Sequence, residues 1–131
     1  MSTRIAPIGI AVAATLAIWV VAVPIAGVEL AARTGAALTE VGPVAVVVAT
    51  VVAGLAGWGL LALLERLTRR ARTLWTWIAA VVLVLSLAGP LGGVNPASQI
   101  TLALMHLAAG AVIILGMRGT ERAVEPRPTT R

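Results

Sequence analysis

His106 is the only histidine of the chain, and it lies in the middle of a long apolar run. It comes nine residues after Ala97 and ten residues before Gly116. At about 1.5 Å of helix rise per residue, this spacing places the imidazole near the midplane of a bilayer that the run would cross. Ionisable groups at such depth are costly and mark functional sites by default. His106 is therefore the first candidate for chemistry in this sequence.

The imidazole of His106 requires hydrogen-bond partners at this depth. Hydrocarbon surroundings favour the neutral ring, which has one donor and one acceptor. Hydroxyl groups on other apolar runs can supply the partners, and the best placed are those of Thr15, Thr50 and Ser86. Ser86 is the first choice, because it lies at comparable depth on the neighbouring run, which forms a helical hairpin with that of His106.

The run that contains His106 has one polar side. At about 100° per residue, Asn95 and Gln99 share a helical face with His106, together with Leu102, Gly110 and Ile113. The opposite face suits lipid and carries Ile100, Leu104, Ala108, Ala111 and Leu115. We therefore predict an intramembrane polar site formed by His106, Gln99, Asn95, Ser86, Thr50 and Thr15.

Several roles are open for His106. The ring can be a hydrogen-bonded pin between helices, worth about 1 kcal/mol, or it can be a proton or ligand site. A metal site usually needs three or four ligands, and the chain has no cysteine, so only an axial haem role or a site shared between chains survives. Met105 and Met117 are poor second haem ligands, since Met117 is three turns away and Met105 is expected to point elsewhere. We expect no cofactor, no metal ligand and no catalytic residue.

The composition defines the kind of chain that must position this site. Of 131 residues, 60% are hydrophobic and 11% charged, and the mean hydropathy is +1.02. Soluble domains carry about 25% charged residues, and disordered chains need low hydrophobicity, so both classes are excluded. No phosphate-binding glycine loop, nucleophile elbow or zinc-binding helix pattern is present. An integral membrane protein remains.

A spanning helix needs about 20 apolar residues, and the length of the chain accommodates four of them. We predict an all-α, polytopic membrane protein whose four transmembrane helices form an antiparallel bundle. The transmembrane domain covers residues 1–117, and residues 118–131 form a disordered cytoplasmic tail. The predicted spans are about 8–28, 44–64, 74–91 and 97–117. We expect the first run to be a span and not a signal peptide, because it exceeds the usual apolar core of roughly 7–15 residues.

The arginines are distributed unequally between the two sides of such a bundle. With both termini in the cytoplasm, nine of the ten arginines lie inside and only Arg33 lies outside, which is the asymmetry expected of a plasma-membrane protein. Trp75 and Trp77 agree with this orientation, since indole rings favour the interface. We expect no nucleic-acid partner, because the arginines flank apolar runs and form no basic face with stacking aromatics. Arg66, Arg69, Arg70 and Arg72 are assigned to orientation and to contact with lipid headgroups.

Helices associate in lipid through small residues that permit close approach. Each run has one such stripe: Thr15, Ala22, Ala26 and Glu29 on the first; Thr50, Gly54, Gly57 and Leu61 on the second; Ala79, Ser86 and Gly93 on the third.

Local signals mark the helix ends and one ion pair. Pro24 should kink the first span or loosen its outer end. Glu29 and Arg33, four residues apart, form an exposed helical ion pair or, as the alternative, a gate above the polar stripe. Two dipeptides mark helix starts: Gly42-Pro43 and Asn95-Pro96.

Three segments of the chain carry a resemblance: AGLAGWGLLALLERLTRRARTLWTWIA, LSLAGPL and LALMHLAAGAVII. With them the sequence resembles a family of small actinobacterial membrane proteins of unknown function, predicted to have four helices, over about residues 8–117. The most specific parts are 58–70, Gly89-Pro90 and Met105-His106. The resemblance implies a multi-pass membrane protein of a Gram-positive cell and implies no activity. Small multidrug exporters share the size, but they rely on a glutamate in the first span, where this chain has only Thr15 at such depth.

Two function hypotheses follow. The first is a non-enzymatic accessory, structural or interaction component of the bacterial plasma membrane, whose partners are the lipid bilayer and either a second copy or another membrane protein. The alternative is a small oligomeric transporter or channel that uses His106 at the membrane midplane. A haem-binding redox subunit is a third and weaker hypothesis.

Overall fold

The computed structural model of the protein describes residues 2–119, with the side chains of residues 4–119. The fold is all-α, with 78% of its residues in helices, as predicted. Four long helices alternate with short connections, and a small β-hairpin follows the first helix. The elements are α1 (Ser2–Val20), a π-helical turn (Val21–Ile25), β1 (Ala31–Thr34), β2 (Ala37–Glu40), α2 (Pro43–Leu67), α3 (Ala71–Ser86), a 3₁₀ turn (Gly89–Gly92) and α4 (Pro96–Gly119).

All four helical segments are long and apolar enough to cross a membrane, which confirms the predicted number of spans. Many large apolar side chains lie exposed on the outside of the bundle, as expected where a bundle faces hydrocarbon and not water. The first segment begins and ends earlier than predicted. The segments are Arg4–Ile25, Pro43–Leu67, Ala71–Gly92 and Pro96–Gly119.

Contacts between helix ends show that α1 runs antiparallel to both α2 and α4. The guanidinium of Arg4 donates two hydrogen bonds of 3.0 Å to the carboxylate of Glu65, so α1 begins where α2 ends. Gly116, near the end of α4, lies against Pro7 in the first turns of α1. We call this side of the bundle the arginine end and the opposite side the hairpin end. Neighbouring helices pack in the order α1, α2, α3, α4, and α4 packs again on α1.

The connection 29–43 contains a two-stranded antiparallel hairpin that the sequence analysis did not predict. Thr34 pairs with Ala37, and Gly35 occupies the turn between them with a φ of +66°. A glycine with positive φ at the first turn position suits a tight hairpin, because a side chain would be strained there. Glu29 precedes β1 and Arg33 lies within it, so the predicted helical ion pair between them is wrong.

The hairpin is attached to both neighbouring helices at the hairpin end. Ser98 of α4, fully buried, accepts a hydrogen bond from the Ala31 amide and donates one to the Ala31 carbonyl. The indole N–H of Trp19 donates to the Val41 carbonyl at 2.9 Å. Glycine 93 forms a β-bridge with Ala32. The hairpin therefore covers one end of the bundle and is not a free loop.

The predicted helix starts and the disturbed end of the first span are confirmed. Gly42 and Pro43 are the N-cap and first residue of α2. The Asn95 side chain accepts a hydrogen bond from the Ser98 amide at 2.8 Å and so caps α4. Around Pro24 the α-helix gives way to the π-helical turn, which is how a chain accommodates the hydrogen bond that proline cannot make.

The packing stripe of the second span is confirmed: Thr50, Gly54 and Leu61 are buried, and Gly57 is half-buried. On the first span Thr15 and Ala22 are buried, but Ala26 and Glu29 are exposed, because the helix has already ended before them. The lipid-facing side of α4 was also predicted correctly at Ile100, Leu104, Ala111 and Leu115, all of which are exposed, whereas Ala108 is half-buried.

The predicted boundary of the C-terminal tail needs one correction. Arg118 and Gly119 still belong to α4, so helix continues past residue 117. The rest of the predicted tail, residues 120–131, lies outside the described residues.

Candidate functional site

A cleft of about 630 Å³ lies between α2, α3 and α4. Its wall on α2 consists mainly of alanines, and these are exposed, so the cleft opens sideways along α2 and α3. Exposed side chains of α3 form the other lip. The residues at the opening are Ala45, Ala49, Ala53 and Ala56 on α2, and Ile78 and Val82 on α3.

Trp75 closes the cleft towards the arginine end. Its side chain is only 2% exposed, and its indole N–H donates to the Gly57 carbonyl at 2.8 Å. No residue of the last two turns of α2 or of the first turn of α3 lines the cleft. Trp75 was expected to favour the membrane interface together with Trp77, but its ring lies between the helices and not on the outer surface of the bundle. Trp77 has the exposure expected of an interfacial ring.

His106 lines this cleft from α4, about midway along the helix. Its Nδ1 lies 2.7 Å from the carbonyl oxygen of Leu102, one turn earlier in the same helix. The expected hydrogen bond between His106 and Ser86 is not formed: Ser86 also lines the cleft, but its hydroxyl donates to the Leu83 carbonyl at 2.7 Å. Each group has a backbone acceptor within its own helix, so the proton that Ser86 could offer to His106 is already used.

The two threonines of the predicted site pair with each other. Thr15 and Thr50 are both buried, and their hydroxyl oxygens lie 3.3 Å apart between α1 and α2. Each hydroxyl also lies within hydrogen-bond distance of a carbonyl one turn back in its own helix. Both residues line the cleft. The structure therefore brings His106, Ser86, Thr50 and Thr15 to one cavity, as the sequence analysis expected, but it gives His106 no bond to any of the other three.

Asn95 and Gln99 do not belong to the cleft. Asn95 caps α4, and the Gln99 side-chain amide donates to the Gly93 carbonyl at 3.2 Å. Both groups lie at the hairpin end, where loop carbonyls and amides lack helical partners. Helical periodicity placed the two residues on the correct face of α4, but it did not show that the loop before α4 would take their polar groups.

Met105 was expected to point away from His106, but it lines the same cleft and is buried. The buried face of α4 is wider than the predicted stripe and includes Ser98 and Met117 as well. Among the described residues, no three His, Asp or Glu side chains lie close enough together to hold a metal ion.

The arginines of the connection between α2 and α3 lie at the arginine end, on the same side as Arg4 and Arg118. Arg66, Arg69 and Arg70 are exposed, and Arg72 is half-buried in the first turn of α3. The pairing of Arg4 with Glu65 was not predicted, because the two residues are 61 positions apart and only the antiparallel packing of α1 and α2 brings them together.

One pattern in the sequence weakly indicates the cleft. The alanines at positions 45, 49 and 53 recur every four residues and so lie on one side of α2, next to the glycine stripe that packs on α1. Small residues on two sides of one helix indicate either two packed neighbours or one neighbour and a recess.

Comparison with known proteins connects this fold to one group of sequences. No curated protein matches the chain significantly, and no solved structure does. A family model described as a family of unknown function, DUF6069, matches residues 1–123, which is most of the chain. The protein, a four-helix chain that fits a multi-pass membrane protein, belongs to this family of unknown function.

Proposed function

We propose that the protein is a non-enzymatic component of the bacterial plasma membrane that binds an apolar membrane constituent in the cleft between α2 and α3. The cleft carries this proposal. Its volume of about 630 Å³ falls in the range typical of small-molecule sites, roughly 300–1,000 Å³. Its opening points sideways, in the direction from which a molecule dissolved in the bilayer would arrive.

The chemistry of the cleft supports binding over catalysis. Its hydroxyl groups, on Thr15, Thr50 and Ser86, all lie within bonding distance of helix carbonyls. A serine or threonine nucleophile requires a base within hydrogen-bond reach of its hydroxyl, and here the backbone occupies that position. The remaining lining is almost wholly apolar. Such a surface retains a molecule through shape and dispersion contacts.

Filling the cleft tests the proposal. We expect the double variant A49L/A53L to place two larger side chains in the opening and to expel the bound molecule, while the bundle stays folded because both positions are exposed. Native mass spectrometry of protein released from its own membrane should show a bound mass on the wild type that the double variant lacks. The matched control is V52L, an exposed position on α2 outside the cleft, which should keep that mass. Equal retention by all three proteins would refute the proposal.

We also propose that both termini and the α2–α3 connection face the cytoplasm. The support is the distribution of arginines, nine at the arginine end or beyond it in sequence and one, Arg33, in the hairpin. Basic residues are retained on the cytoplasmic side of short membrane proteins. The same charges suit contact with anionic headgroups of a bacterial inner leaflet.

Single cysteines can test this orientation without background, since the chain has no cysteine. Ala37 in the hairpin and Thr73 at the start of α3 are both exposed. We expect a membrane-impermeant maleimide to label A37C in intact cells and to label T73C only after permeabilisation. The reverse pattern would overturn the orientation and leave the cleft proposal intact.

The second candidate function is a small transporter or channel, and the position of His106 in the cleft at mid-depth favours it. Four helices rarely enclose a pathway, so this function requires a second copy or another membrane protein beside the cleft. A flux of solute or ions into proteoliposomes that varies with pH and disappears in H106A would establish the transport function. A pH-independent flux, or one that H106A leaves unchanged, would exclude a role for His106 in transport.

A further inference from the structure

We propose that the ligand of the cleft is an apolar molecule carrying a hydroxyl or N–H group, and that His106 Nε2 accepts a hydrogen bond from it. This inference rests on the proposed function and specifies the chemistry of the bound molecule. It follows from which polar groups of the cleft have hydrogen-bond partners within the protein and which have none.

The first step is the tautomer of His106. The Leu102 carbonyl can only accept a hydrogen bond, and it lies 2.7 Å from Nδ1, so Nδ1 carries a proton. In the neutral ring Nε2 then holds a lone pair and acts as an acceptor. Within the described chain, no donor reaches Nε2. This nitrogen is not among the fully enclosed polar atoms that lack a partner, so it keeps accessible surface, and its residue lines the cleft.

The second step is the state of the other polar groups. The Ser86 hydroxyl donates to the Leu83 carbonyl at 2.7 Å, and the hydroxyls of Thr15 and Thr50 use their protons on each other or on carbonyls one turn back. None of them is directed to His106, and each is held by a strong local acceptor. The cleft therefore presents a ring-nitrogen acceptor without a partner, in a lining that is mostly apolar and whose hydroxyl protons are already used. Burying such a group without a partner is costly, and a ligand that brings a donor removes that cost.

Other occupants of the cleft fit this unpaired acceptor less well. A carboxylate or phosphate would place a charge in hydrocarbon, and its oxygen atoms could only accept hydrogen bonds, as Nε2 does, so no bond would form between them. A water molecule needs two to four polar partners to be held, and Nε2 offers only one. A pure hydrocarbon chain would leave the acceptor unsatisfied. An alcohol, a phenol or an amide on an apolar body meets the requirement.

The shape of the cleft argues against a transmembrane helix as the occupant. Its walls extend from Ala45 to Leu60 on α2, from Trp75 to Ser86 on α3 and from Leu102 to Ile114 on α4, which correspond to about 22, 16 and 18 Å of helix rise. A spanning helix needs about 30 Å. Trp75 closes the cleft before the arginine end, so a continuous helix would not fit along it.

A matched pair of probes tests the inference on the full-length protein in lipid nanodiscs. 4-Octylphenol and its methyl ether have the same apolar body, but only the phenol has a donor. We expect the phenol to bind the wild type at least about tenfold more tightly, since the ether leaves the acceptor unpaired. His106 is the only histidine, so ¹⁵N-histidine labelling gives one side-chain Nε2 resonance, which should shift with the phenol and not with the ether.

Variants separate this inference from the proposed function. H106F should bind both probes with equal affinity, and S86A, which alters another lining residue, should keep the preference for the phenol. Equal binding of both probes by the wild type would overturn the inference but leave the proposed binding function in place. Binding of neither probe, or binding that A49L/A53L does not weaken, would refute both. The wild-type comparison decides the question even where H106F does not fold.

Discussion

Replacing Trp75 with alanine is expected to destabilise the bundle by about 3 kcal/mol, the largest effect of any single substitution we consider. Trp75 is the largest of the fully buried side chains and packs between α2 and α4 against Leu61 and Ile113. Its indole also joins α3 to α2 through the bond to the Gly57 carbonyl. The variant W75A loses both interactions and extends the cleft towards the arginine end.

The expected value is at the lower end of what such truncations cost in soluble proteins. Unfolding in a bilayer separates the helices into lipid, where an indole is still surrounded by hydrocarbon, so the transfer of Trp75 out of water contributes little. The loss of close-packed contacts and the empty volume remain, and so does the lost hydrogen bond.

Two comparisons isolate these contributions. W75F keeps most of the ring volume but loses the bond to Gly57 and a few packed ring atoms, so about 1–2 kcal/mol is expected. W77A removes an indole that is 70% exposed and should leave stability nearly unchanged. SDS titration in mixed micelles, with the folded fraction followed by limited proteolysis, measures all three. Equal unfolding midpoints for W75A and W77A would show that Trp75 does not hold α3 in the bundle.

The behaviour of Trp75 shows where sequence reasoning reaches its limit in this chain. Trp75 and Trp77 are two residues apart and have the same relation to the arginine-rich connection, so hydropathy treats them alike. At about 100° per residue the two rings lie on opposite faces of α3, and the packing of α3 beside α2 decides that Trp75 is the buried one. Long apolar runs and their proline starts depend on local sequence and were predicted; the choice between the two indoles depends on which face of α3 meets α2.

The hairpin and the bond of His106 illustrate the same limit. Residues 29–43 are short of strong strand formers, and the hairpin is stable because Ser98 and Trp19 bind its backbone. The length of that connection was the available signal, since connections in compact domains usually have about 4–6 residues. For His106, periodicity predicted the correct helix face, but the nearest acceptor is a carbonyl of its own helix, which no side-chain pattern reveals.

Replacing Gly116 with alanine is expected to separate α4 from α1 at the arginine end and to cost about 2 kcal/mol. A Cβ at this position would lie 2.5 Å from Cβ and 2.7 Å from Cγ of Pro7. Real carbon atoms do not approach so closely, so one of the two helices must move. At Gly110 the nearest opposing atoms are the end of the Leu83 side chain, which can rotate away, and at Gly54 they belong to the side chain of Ile8. The ring of Pro7 is closed on its own backbone, so the shift falls on the helix itself.

The movement should also reach the ion pair between Arg4 and Glu65, because Arg4 lies one turn before Pro7 on the same helix. G116A is therefore expected to unfold at lower SDS content than the wild type and to lose the small stabilisation from the ion pair. Removing the pair alone, in E65Q, should cost less than about 1 kcal/mol of stability.

The matched control is G9A: Gly9 lies on α1, is exposed, and a Cβ there meets nothing within 4 Å. Because alanine favours helix over glycine, G9A should be neutral or slightly stabilising. If G116A were as stable as G9A, the close approach of Gly116 and Pro7 would not exist in the folded protein, and the packing of α4 on α1 would have to be different.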